Sequence, residues 1–108
     1  MYKISFYVPI EFKEKVKSAM FGAWAGRIWK YDNCCFEIEW TGQFRPLKLS
    51  KPTIWSQEKL EYVKEVKIEM VCEEKNFKNV MKALFESHPY EEVAYDYFRF
   101  DKINKSDL

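Results

Sequence analysis

KIEMVCEEKNFKNVMKALF, residues 67–85, carries two hydrophobic periods in succession. Ile68, Met70 and Cys72 alternate with Lys67, Glu69 and Val71, the period of two that gives a strand one apolar face. From Phe77 the repeat changes: Phe77, Val80, Met81, Leu84 and Phe85 fall at i, i+3, i+4, i+7 and i+8, the stripe of an amphipathic helix. The same unit occurs once before. Shifted by 64 positions, KISFYVPIEFKEKVKSAMF at 3–21 aligns without a gap, placing Lys3, Ile4, Phe6, Val16, Ala19, Met20 and Phe21 against Lys67, Ile68, Met70, Val80, Ala83, Leu84 and Phe85. One offset that carries both a strand and its helix predicts two strand-helix-strand halves. That is an α+β, ferredoxin-like βαββαβ sandwich: a four-stranded antiparallel sheet with two helices on one face.

Working outward from these units, strand one covers Lys3–Val8 and stops at Pro9, and a helix follows with Phe12, Val16, Ala19, Met20 and Ala23 on its apolar face. A long second strand is expected from Ile28 to Trp40, with Phe36, Ile38 and Trp40 on one face and Cys35, Glu37 and Glu39 on the other. Periodicity then disappears from Thr41 to Lys59, where Pro46 and Pro52 interrupt and Phe44, Leu47, Leu49, Ile54 and Trp55 are scattered, so a long β2-β3 hairpin connection is expected there. Strand three runs from Leu60 to Cys72, helix two from Lys75 to Ser87, and strand four from Val93 to Phe100. The domain spans 1–101, and 102–108 is a polar tail that frays. The uncovered sheet face is expected to hold Tyr7, Cys35, Tyr95 and Tyr97, aromatic enough that oligomerisation would cover it.

Composition bounds the class of function. At 108 residues the chain supports one core, and 47% hydrophobic with 32% charged residues excludes a disordered or membrane protein. Aromatic residues at 19% exceed what a two-layer core needs, which points to an interface or a ligand cleft. A net charge of +1 supplies no field for nucleic acid, and the N-terminus lacks a signal pattern, so a cytoplasmic protein is expected. Cys34 and Cys35 are adjacent and Cys72 is distant, which is no disulfide framework and no metal-binding spacing; buried free thiols are expected.

Polar chemistry concentrates in three segments. HPYEEVAYD, residues 88–96, sets the single histidine, His88, with Tyr90, Glu91, Glu92 and Asp96 at the entry to strand four, as a ligand or metal site would; equally, His88 caps helix two, Tyr90 packs and the glutamates are solvated. In AGRIWKYDNCC, residues 25–35, Gly26 allows close approach, Arg27 suits an anion and Asp32 is a lone acid, or else Gly26 is a turn and Asp32 an edge charge. TGQFRP, residues 41–46, is too polar at Thr41 and Gln43 and too aromatic at Phe44 for an idle tip, yet Gly42 alone is no phosphate loop. With one histidine, no multi-histidine centre forms within one chain, and no nucleophile-base set has local support.

The motifs AGRI, YDNC, TGQFRP and HPYEE, in that order, resemble the PII-like and CutA-like domain found in the Nif-three (NGG-one-interacting-factor-three) proteins, over roughly Tyr2 to Phe100. The resemblance implies a ferredoxin-like fold and a homotrimer. It also implies a non-enzymatic regulatory or ligand-binding role, because the family's di-metal site belongs to another domain. Carried over by motif match, the ligand-binding set is Gly26, Arg27, Tyr31, Asp32, Thr41, Gly42, Gln43, Arg45, His88, Tyr90, Glu91 and Asp96, facing a small molecule or anion at clefts between subunits. No cofactor is implied; the alternative is divalent metal held by His88 and Cys34, as in a CutA-like metal-tolerance protein, and a second alternative is a structural or protein-interaction module. The chain departs from the pattern at Trp29, Lys30, Asn33 and Val93, and Asn33 stands where a histidine is usual.

Overall fold

Alternation in the two repeated units produces the core. The computed structural model describes residues 1–51 and 57–108, so Pro52, Ile54 and Trp55, assigned to the hairpin connection, lie outside the described residues. The strands are β1 (Tyr2–Pro9), β2 (Phe36–Phe44), β3 (Glu61–Cys72) and β4 (Tyr95–Arg99), with helices α1 (Lys13–Gly22) and α2 (Phe77–Ser87). They form one antiparallel sheet in the order β2-β3-β1-β4. Ile4, Phe6 and Val8 of β1 stand opposite Met70, Ile68 and Val66 of β3. All are buried, together with Val16 and Met20 of α1 and Val80 and Leu84 of α2. Each such side chain contributes about 1.5 to 3 kcal/mol by leaving water. Among the described residues no helix is long and apolar enough to cross a membrane.

The helix ends follow from local chemistry. After α1, Trp24 (φ 80°) and Gly26 (φ 73°) turn the chain through the left-handed region. The Gly26 N–H then donates to the Val71 carbonyl at 2.7 Å, and an added Cβ would sit 2.8 Å from the Cys34 carbonyl oxygen, so only glycine fits. At the end of α2, His88 adopts φ −75° and ψ 140°, the extended conformation required before Pro89, and the helix stops.

Strand two differs from expectation in three ways. It starts at Phe36, because Trp29 (φ 52°) and Asn33 (φ 53°) bend the chain and an isolated Ile28–Tyr31 bridge closes a tight turn instead of a ladder. It continues to Phe44, so TGQF is strand and not connection. It also presents its apolar face away from the helices: Phe36, Ile38 and Trp40 are 73, 57 and 49% exposed. Glu37, on the helix side, accepts from Lys13 (2.9 Å) and Lys17 (2.5 Å) near α1. Those two amines hold the Glu37 carboxyl below the usual range.

The open face therefore carries Tyr7, Phe36, Ile38, Trp40 and Phe98. Tyr95 and Tyr97, expected there, lie on the helix side, with ring centroids 5.3 Å from Phe85 and 4.8 Å from Phe77. Cys35 packs against the core as well.

Candidate functional site

Glu65 is the buried acid of the open face. In β3 it stands opposite Trp40 on one side and Pro9 on the other, and only 7% of it is exposed. Gly42, diagonal to it on β2, makes room: an added Cβ would overlap Glu65 Oε1. Burial pushes the Glu65 carboxyl up from its ordinary value, partly offset by the Tyr90 hydroxyl nearby.

His88 fixes the geometry around this acid. Its Nε2–H donates to the Tyr7 carbonyl at 2.7 Å, and its Nδ1 accepts from the Tyr90 N–H at 3.1 Å. That pattern selects the neutral tautomer with the proton on Nε2, and burial lowers the imidazole pKa despite the favourable carbonyl. One side chain thus joins β1 to the segment entering β4. Tyr7 lies 5.9 Å from Trp40, and Tyr90 5.9 Å from Phe44, centroid to centroid. On the same side, the Lys51 N–H donates to Glu91 Oε1 at 2.7 Å.

Between these groups is a cavity of about 490 Å³. Its walls include Thr41, Gly42, Gln43, Phe44, Arg45 and Pro46 from the TGQFRP segment and Tyr90, Glu91 and Glu92 from the HPYEE segment, which one chain brings together. Tyr7, Trp40, Ser50, Glu65 and Ala94 complete it. Sequence reasoning missed Glu65, because a glutamate in VKEVKIEM has the pattern of a solvated position.

The other expected site residues lie elsewhere. Gly26 bonds to Val71, six residues along β3 from Glu65 and about 20 Å at the rise of a strand, and Tyr31 and Asp32 belong to the same turn region. The Arg27 guanidinium covers the Trp24 ring at 3.7 Å. Asp96 faces Ser5 in the ladder, outside the cavity walls. Of the residues of the metal alternative, His88 has both nitrogens engaged by backbone groups, and Cys34 Sγ donates to the Asp32 carbonyl at 3.5 Å. Among the described residues no group of three His, Cys, Asp or Glu is arranged to hold an ion.

No protein-family model matches the chain. The GTP cyclohydrolase 1 type 2 homolog of Bacillus subtilis (strain 168) is 45% identical over 96 residues, which are 89% of this chain and 26% of that protein. Among solved structures, the Bacillus cereus protein related to NIF3 superposes with a TM-score of 0.79 at 38% identity, covering 94% of this chain and 26% of that one. CutA1 from Pyrococcus horikoshii superposes with a TM-score of 0.68 at 20% identity, covering 97% of this chain and 88% of that one, a likeness of fold. The chain spans about a quarter of the length of the curated relatives it matches. In sequence the chain is thus similar to about a quarter of the length of NIF3-related proteins, and its fold is like that of CutA.

Proposed function

We propose that this chain is a non-catalytic, self-associating ligand-binding module, and that the cavity on the open sheet face is its ligand site. The observation that carries this is the convergence of TGQFRP, HPYEE and Glu65 on one cavity of about 490 Å³, within the range of small-molecule sites. The groups there suit holding rather than turnover. His88, beside the cavity, has both nitrogens engaged by backbone groups and does not stand ready to move a proton to or from a ligand. Burial pushes the Cys72 thiol up to about 11 and raises Cys35 too, so neither is a thiolate nucleophile at neutral pH. Three free cysteines suit the cytoplasm, where we place it.

Self-association is supported by Phe36, Ile38 and Trp40, exposed along the edge strand β2 on the face the helices leave open. A homotrimer would bury this surface and set the cavities beside subunit boundaries. Light scattering coupled to size exclusion tests it. We expect a mass near three times 13.1 kDa, and a stable monomer at high concentration would remove the assembly.

A further inference from the structure

The lining of the cavity discriminates among ligand classes. Taking the cavity to be the ligand site, a reading on which this inference rests, we propose that it holds a small organic cation, an ammonium or guanidinium group, against the Glu65 carboxylate and the rings of Tyr7, Trp40, Phe44 and Tyr90.

Charge is the first reason. Glu65, Glu91 and Glu92 line the cavity against one guanidinium, that of Arg45, which is exposed and screened by solvent. An anion entering would meet a desolvated carboxylate. Glu65 supplies the second reason: it is 7% exposed, and among the described residues no lysine or arginine forms a salt bridge with it, the ion pairs of the sheet lying at Glu37 and Glu69. A buried carboxylate is stabilised by a cation placed against it, and the phenol of Tyr90, on the same cavity wall, carries no charge. The third reason is the aromatic walls. Ring faces attract cations through their quadrupole, most strongly where water is excluded, and tryptophan does so best. Gly42 completes the arrangement, since any side chain there would displace the carboxyl from its seat.

The test is a ligand-observed NMR titration of the full chain with tetramethylammonium chloride, tert-butanol as the neutral isostere, and inorganic phosphate. The expected result is saturable binding of tetramethylammonium, weaker or absent binding of the other two, and a dissociation constant raised at least about tenfold by Glu65→Gln, the loss of one buried charge contact. Trp40→Leu, at a half-exposed position where folding is safe, should raise it about threefold to tenfold. Gly42→Val should abolish binding by filling the cavity, which identifies the site. If tert-butanol or phosphate binds as well as the cation and Gly42→Val abolishes it, the ligand site stands and the cation is refuted. If no probe binds the folded protein, both the site and the cation are refuted. Tetramethylammonium binding that Glu65→Gln leaves unchanged in a protein of wild-type circular dichroism also overturns the assignment.

Discussion

His88 commits both ring nitrogens to backbone groups, and this makes it a pH-sensitive fastener. Burial lowers its folded-state pKa below the ordinary 6.5, so on acidification the unfolded chain takes up the proton first. Its contribution to stability is therefore complete above 6.5 and is lost as pH falls from there through the lower folded-state value. In His88→Gln, whose amide still donates to the Tyr7 carbonyl but does not titrate, the fall in urea midpoint between about pH 7.5 and about pH 5 should be smaller than in the wild type. Contributions from Glu65 and Glu37 are common to both proteins and cancel in the comparison. Equal falls would show that His88 does not titrate differently on unfolding. Leu84, fully buried, behaves more simply: Leu84→Ala should cost about 2 to 5 kcal/mol in urea unfolding. Leu84 and Glu65 mark what was legible. Leu84 announces itself by helical spacing, whereas the burial of Glu65 depends on a glycine some twenty positions away that only the ladder register brings beside it.

At the scale of the element, β2 shows where reading alternation stops. Period two says that Phe36, Ile38 and Trp40 share a face, but it does not say which face meets the helices. Lys13 and Lys17 decide it: they draw Glu37 to the helix side and turn the apolar residues outward. The same ambiguity misplaced Tyr95 and Tyr97, whose partners Phe85 and Phe77 are visible only after α2 is docked. The inversion has a measurable result. Ile38→Glu, at an exposed position opposite Lys67, should change the stability of the folded subunit by less than about 1 kcal/mol while lowering the mass seen by light scattering to that of a monomer. A large loss of stability without loss of assembly would mean that Ile38 supports the fold and not the contact between copies.

For the whole molecule, the repeated unit was the most legible feature, because each half carries its own strand and helix periods and the same offset joins them. The reach of the hairpin was not legible. Pro46 and the polar TGQ suggested a connection, yet the β2-β3 ladder runs on from Thr41–Lys64 to Phe44–Glu61, past the last β1 row at Pro9–Glu65. Those outer rows project about 13 Å beyond β1 as a two-stranded arm on a body 55 × 24 × 22 Å overall. In mechanical terms the arm is a cantilever clamped at Glu65. Two-stranded ladders open at low free-energy cost, so backbone amides at Gln43 and Val63 should exchange with deuterium at least about a hundredfold faster than those of Phe6 and Ile68, where the sheet is closed on both sides. Uniform rates across the sheet would mean that the arm is braced. Gly42 and Phe44 lie on the arm while Glu65 and Tyr90 stay with the body, so any bending of the arm would change the width of the cavity.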